Sequence, residues 1–259
     1  MDLGISGKSA LVLGGSQGLG LACAKALAQA GVHVAINGRD AAKAQEAATQ
    51  LGGSAIAVPG DIASPEKRLG IFNATREKLG RIDILVTNAG GPPPGPVEAH
   101  SQETWQKALE TNMLAALDFT VMALPNMKQA GFGRIVNITS FTVREPYPNM
   151  GLATGVRAGL TGAMASLAHE VAPLGITVNN ILPGLMDTGA LERVYKAQSE
   201  RENISTDEAK QRMAESVPMQ RLGLAEDFGP VCAFMCSIHA SYITGQNITV
   251  DGGLVKSLL

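Results

Sequence analysis

Short β-branched runs alternate with longer Ala- and Leu-rich stretches along nearly the whole chain, and this rhythm limits the fold more than any other feature. Residues 9–13, 32–36, 55–58, 84–87, 134–138, 177–181 and 247–250 read as strands. Several are apolar at nearly every position, as expected of parallel strands covered on both faces. Between them, 19–30, 41–51, 65–79, 104–128, 152–172 and 225–236 read as helices. Gly31, Gly52, Gly80, Gly131 and Gly175 stand where helix C-terminal caps belong. The spacing predicts an α/β fold, a doubly wound parallel sheet with helices on both faces. No linker or composition break divides it, so a single domain over 1–259 is expected. One stretch departs from the rhythm: 186–220 holds two charge-rich helical pieces, 190–201 and 206–215, after the Pro183-Gly184 turn. It falls where loops at strand carboxyl ends cover a ligand, so it reads as a lid-like insertion; the plainer alternative is a surface excursion.

Charge and composition narrow the function classes. With 21 Lys+Arg against 23 Asp+Glu the net charge is −2, and no basic run is present. A nucleic-acid surface needs clustered positive charge, so a small-molecule substrate is expected instead. No apolar run approaches the ~18–20 residues a bilayer requires, and Lys25 interrupts the most apolar helical stretch. Residues 1–13 lack the basic end and apolar core of a secretion signal. Cys23, Cys232 and Cys236 form no CxxC pair, and no nearby His or third Cys completes a metal site from Cys232 and Cys236, which stand four apart on an expected helix. They read as small buried residues of a cytoplasmic protein, and no metal site is expected.

After the first strand comes Gly14-Gly15-Ser16-Gln17-Gly18-Leu19-Gly20. Such a turn into a helix brings backbone N–H groups, and the positive end of the helix dipole, to a pyrophosphate. Opening a βαβ unit, it points to a Rossmann-type dinucleotide site. About 20 residues past such glycines, NAD sites usually place an acidic residue on the ribose 2′-OH. Here the second strand runs into Asn37-Gly38-Arg39-Asp40. Asn37 carries no charge to repel a 2′-phosphate and Arg39 can grip one, which favours NADP(H) over NAD(H). Asp40, just before a helix, is better read as its N-cap.

From here the motifs resemble the short-chain dehydrogenase/reductase family, and the resemblance covers nearly the whole chain. Gly14-x3-Gly18-Leu19-Gly20 is similar to the family's glycine turn, Asp61-Ile62 to its adenine-contacting pair, and Thr87-Asn88-Ala89-Gly90 to its NNAG motif. Asn112 falls where the family keeps an active-site Asn, and Asn137-Ile138-Thr139-Ser140 resembles the strand ending in its catalytic Ser. Pro183-Gly184 with Thr188 resembles the turn that holds the nicotinamide amide. Residues 242–246, then Val250-Asp251-Gly252-Gly253, look like the C-terminal signature, although Asp251-Gly252-Gly253 reads physically as a structural turn. The pattern is closest to 3-oxoacyl-carrier-protein reductase-like members. The resemblance implies an NAD(P)(H)-dependent oxidoreductase acting on a carbonyl or hydroxyl. It also implies a homotetramer in which helices 104–128 and 152–172 pair across a dimer; the latter carries Gly155, Gly159, Gly162 and Ala165.

The pattern breaks at its centre. Counted from Ser140, the family's Tyr-x3-Lys pair falls on Ala153 and Arg157, and Ala158-Gly159-Leu160-Thr161-Gly162 continues in register. In the family the Tyr transfers a proton while the Lys holds the nicotinamide ribose. Ala153 can do neither. Arg157 can hold the ribose and steady an oxyanion, but its usual pKa above about 12 keeps it from exchanging protons near neutrality. Losing general acid–base help typically costs about 10²–10⁴ in rate. Tyr147, between Pro146 and Pro148, is a substitute acid or a packing residue; His100, His169 and Glu145 are weaker candidates, and water held by Ser140 and Asn112 is another proton source. Three functions stay open: a reductase with a rewired proton path, a nucleotide-binding sensor or assembly subunit, and a non-redox enzyme. The Gly91–Pro96 segment stiffens one expected cleft wall and Met150, Leu185 and Met186 line another, which suggests an apolar ligand.

Overall fold

In a computed structural model, which describes residues 1–53 and 55–257, seven strands form one parallel sheet in the order β3-β2-β1-β4-β5-β6-β7. The strands are β1 (Ser9–Val12), β2 (His33–Ile36), β3 (Ile56–Ala57), β4 (Ile84–Thr87), β5 (Gly133–Ile138), β6 (Ile176–Pro183) and β7 (Asn247–Val250). The order reverses between β1 and β4, where a doubly wound sheet opens its ligand crevice at the carboxyl ends of the strands.

Two helical layers cover the sheet. On one face lie α1 (Gly18–Gln29), α2 (Ala41–Leu51) and α9 (Ala225–Met235), whose Leu27, Ala44 and Phe228 pack on Val12, Val34 and Ile36. On the other lie α3 (Pro65–Leu79), α5 (Ala115–Ala130) and α6 (Gly151–Val171), bringing Phe72, Phe119 and Met164 against Leu11, Leu85 and Ile135. Cys23, Cys232 and Cys236 are buried and free between α1 and α9. Neighbouring thiols and burial push Cys232 and Cys236 well above the usual thiol range, which makes them inert packing residues.

The rhythm expected one helix over 104–128. Instead α4 (Gln102–Leu109) passes into a π-helical turn, Glu110–Leu114, before α5 begins. A π-turn inserts a wider loop of backbone and re-aims the side chains it carries; no Gly or Pro marks it in the sequence. The glycines of α6 have intrachain work: a Cβ at Gly155 would lie 3.1 Å from the Trp105 ring, and one at Gly159 would lie 3.0 Å from Met113 Sδ. Gly162 faces open space.

Beneath the carboxyl edge runs a chain of buried amides. Thr87 Oγ1 donates to Asn137 Oδ1 (2.7 Å), Asn137 Nδ2 to Asn180 Oδ1 (3.0 Å), and Asn180 Nδ2 to Asn247 Oδ1 (2.7 Å). These residues are direct partners on four adjacent strands, so the chain pins the register of β4 to β7 just below the site.

The 186–220 stretch forms α7 (Gly189–Glu202) and α8 (Thr206–Ser216). Leu191, Tyr195 and Met213 share an apolar cluster with Phe141, Leu185 and Tyr147, which lies over the segment following Ser140. Lys210 Nζ pairs with Asp187 Oδ2 at 2.7 Å, tying α8 to the turn after β6. No helix among the described residues is long and apolar enough to cross a membrane.

Candidate active site

The glycine turn is built for close backbone approach. Gly14 has φ +57°, and a Cβ there would sit 2.7 Å from Asn88 Nδ2 and 2.9 Å from the Asn88 carbonyl oxygen. A Cβ at Gly20 would strike the Gly14 carbonyl. Asn88 Nδ2 donates to Gly14 O at 3.1 Å, so the motif after β4 locks the turn after β1. Gln17 occupies the N-cap of α1 without capping it by its side chain, and no acidic residue lies in the first turn. The leading amides of α1 are thereby left to an anion from outside. Gly18, with φ +56°, faces Thr188 across the groove, a Cβ there lying 4.0 Å from Thr188 Cβ. Ser16 and Leu19 flank the turn. These features fit a dinucleotide pyrophosphate.

At the carboxyl end of β2, Asn37 is buried and its Nδ2 donates to Val58 O (3.0 Å) and Gly60 O (3.2 Å). Its amide therefore braces the end of β2 against the loop after β3. Arg39 is exposed at the rim, and Ser16 Oγ would lie 2.6 Å from a Cβ on Gly38, so Ser16 closes against this loop. Asp40 Oδ1 accepts from Ala42 N (2.9 Å) and Lys43 N (3.1 Å), the N-cap of α2. Asp61 Oδ1 accepts from Ala63 N at 3.0 Å, and Ile62 is buried beside it.

Two residues past the end of β5, Ser140 is 5% exposed. Its Oγ accepts from Thr142 N (3.2 Å) and Thr142 Oγ1 (3.0 Å). A hydroxyl oxygen has two lone pairs, so both are filled and what Ser140 offers a ligand is its O–H. Asn112 lies in the π-turn; its Nδ2 donates to Ala108 O at 3.3 Å, while its buried Oδ1 has no partner among the described residues. Asn88, Ala89, Ile62, Thr111, Asn112 and Arg157 line one narrow cavity. Gly90 is exposed beyond it. Desolvation lowers the Arg157 pKa to about 10, still well above neutrality, so the guanidinium stays a cation. Ala153 is buried one turn before Arg157 on α6. Pro183 closes β6. A Cβ on Gly184 would meet Asp251 Cβ at 2.6 Å, and Thr188 occupies the N-cap position of α7 without capping it by its side chain. Asp251 in turn accepts from Gly253 N and Val255 N, a structural turn.

The Tyr147 ring meets the Phe141 ring edge-on, centroids 5.5 Å apart, within the α7–α8 cluster. Glu145 Oε2 accepts from Lys256 N (2.8 Å), and His100 Nε2 is buried beside Gly95 without a partner among the described residues. His169 lies in the last turn of α6. Two residues escaped the sequence analysis. Thr142 sets the Ser140 hydroxyl, a role the short Ser-x-Thr spacing could have signalled as a side-chain turn. Arg68 is buried against both the Asp61-Ile62 loop and the π-turn, and nothing local in its helix announces it.

Comparison with known proteins adds a second line of observation. Residues 14–255 match the family model described as "Enoyl-(Acyl carrier protein) reductase". The NADPH-dependent reductase BacG of Bacillus subtilis is 34% identical over 98% of this chain and 100% of its own. The 7α-hydroxysteroid dehydrogenase of Escherichia coli is 32% identical over 99% and 98%. Among solved structures, L-sorbose reductase of Gluconobacter frateurii complexed with NADPH and L-sorbose superposes with a TM-score of 0.94 at 32% identity, covering 100% of both chains.

Proposed function

The chain belongs to the short-chain dehydrogenase/reductase family, and from that premise we propose a reductase whose proton path runs without a phenol at position 153. It is an NAD(P)(H)-dependent oxidoreductase acting on small molecules, with NADP(H) as its cofactor. The glycine turn and the α1 N-terminus hold the pyrophosphate, Asp61 and Ile62 flank the adenine, and Arg39 grips the 2′-phosphate. Pro183, Gly184 and Thr188 seat the nicotinamide amide, and Arg157 holds the adjoining ribose.

The single observation that carries the catalytic reading is the Ser140 hydroxyl, fixed as a donor by two bonds from Thr142. When bound, the reduced nicotinamide supplies a hydride. Ser140 donates to the substrate oxygen, and the Arg157 cation stabilises the negative charge that grows there. Ala153 contributes only a methyl, so water delivers the proton, held with the help of the unpartnered Asn112 Oδ1. Substrates whose reduced oxygen or nitrogen bears charge easily suit such a site: activated ketones, 3-oxoacyl thioesters and imines. Tyr147, set edge-on against Phe141, serves as a wall, and α7 with α8 acts as a lid over it.

A homotetramer accounts for Val121 of α5 at 66% exposure and for a fully exposed Tyr242; chromatography showing a monomer at micromolar concentration contradicts it. A cytoplasmic setting suits the three free cysteines. The test of function is oxidation of NADPH against a panel of ketones, 3-oxoacyl thioesters and imines. Turnover that falls by roughly 10²–10³ in Ser140→Ala is the expected result. Tight NADPH binding with no oxidation by any panel member would instead favour a sensor or assembly subunit, the reading that Ala153 supports.

A further inference from the structure

Arg68 sits on α3, outside every motif used above, and is 3% exposed. Its Nε donates to Ile62 O at 2.7 Å. Its Nη2 donates to Glu110 O at 3.1 Å and to Glu110 Oε2 at 2.7 Å, and its Nη1 to Asp118 Oδ2 at 2.6 Å. One planar guanidinium thus grips two backbone segments that are 48 residues apart in sequence (110 − 62). Both segments face the cleft, since Ile62, Thr111 and Asn112 line the same narrow cavity. Glu110 begins the π-turn, where its carbonyl accepts from Ala115 N, and the Arg68 fork adds a second donor from outside the helix.

We propose that Arg68 is a positioning residue that joins the adenine wall of the cofactor site to the turn carrying Asn112, so that filling the adenine end fixes the Asn112 side chain at the catalytic end. The proposal rests on the cofactor reading given above. A purely structural clamp needs only the two carboxylates, and these are 37% and 50% exposed and well solvated without it. The bonds to the Ile62 and Glu110 carbonyls are different: they set the positions of the backbone on each side of the cavity. A lysine, with one compact ammonium, cannot bridge both carbonyls and a carboxylate in a single geometry.

The test needs no substrate. Adenosine 2′,5′-bisphosphate, a probe of the adenine end alone, is titrated into isotopically labelled full-length protein while the Asn112 side-chain amide resonances are followed. In the wild type the probe is expected to shift and sharpen these resonances. Asp118→Asn removes one ion pair but keeps both carbonyl bonds, and is expected to keep that response whatever it does to melting temperature. Arg68→Lys and Arg68→Met are expected to weaken probe binding roughly 10-fold and to abolish the Asn112 response at saturation, the effect of losing a charge-assisted bond at the Ile62 loop. Probe binding in the wild type with no response at Asn112, or an unchanged response in the Arg68 variants, overturns the proposal. Failure of the wild type to bind the probe at all would instead overturn the cofactor reading on which it rests.

Discussion

Residues 14–20 and 88–90 on one wall of the cleft, and residues 140–157 on the other, are built to opposite tolerances. The glycine wall admits almost no change: Gly14 and Gly20 have no room for a methyl, and Asn88 clamps the turn from the neighbouring strand. On the other wall, buried position 153 carries only a methyl, and the cation one turn further along α6, Arg157, pairs with no carboxylate among the described residues. Backbone approach to an anion depends on atoms that every residue has, so it can be satisfied only by leaving side chains out. Proton transfer depends on one functional group, and a water molecule can take over that group's task at a cost in rate. The first wall is therefore fixed by shape, while the second is free to change its chemistry.

Several variants would break or sharpen this contrast, beginning with the largest effect. Ser140→Ala should lower kcat by roughly 10²–10³, the effect of removing one donor from an oxyanion site, with NADPH affinity unchanged in a fluorescence titration. Loss of affinity in step with kcat would make the two walls one unit. Gly20→Val should weaken NADPH binding by roughly 100-fold through overpacking against the Gly14 carbonyl, checked by calorimetry. Arg39→Ser should weaken NADPH by about 10- to 100-fold and leave NADH nearly untouched, as expected for a charge-assisted grip on the 2′-phosphate; equal losses for both cofactors would remove Arg39 from that role.

The smallest effect concerns stability. Desolvation lowers the Arg157 pKa from the ordinary guanidinium range to about 10, so folding disfavours its charged form. For a base shifted in this direction, the penalty is present throughout the range below about 10 and is relieved as pH rises above that toward the ordinary guanidinium range. Arg157→Met should then raise the melting temperature of the cofactor-free protein by about 2–4 °C at neutral pH while lowering activity. A fall in melting temperature would show that the arginine braces the fold.

The parallel sheet, the turn after β1 and the helices on both faces could be read from strand–helix rhythm, because apolar periodicity and glycine placement are local signals, whereas the order of the strands came only with the structure. The N-cap role of Asp40 was legible for the same reason, its carboxylate bonding two residues just ahead of it in the chain. The π-turn at Glu110–Leu114 was not, since helix pattern is indifferent to one extra residue in a turn and no breaker marks it. Arg68 was invisible for another reason: its partners come from a loop and a second helix, and a charged residue near a helix start looks like any solvated one. Asn37 was read for its lack of charge, whereas its amide also ties two loops together, a contact that depends on how β2 and β3 lie side by side.

The most direct trial of the central claim follows deuterium from stereospecifically labelled NADPH into product in a single turnover, comparing the wild type with Tyr147→Phe, which removes the nearest candidate phenol. Label should reach the product in both proteins at rates within a few-fold of each other. A drop of about 10² or more in the variant, the scale of a lost general acid, would mean that a tyrosine does carry the proton after all.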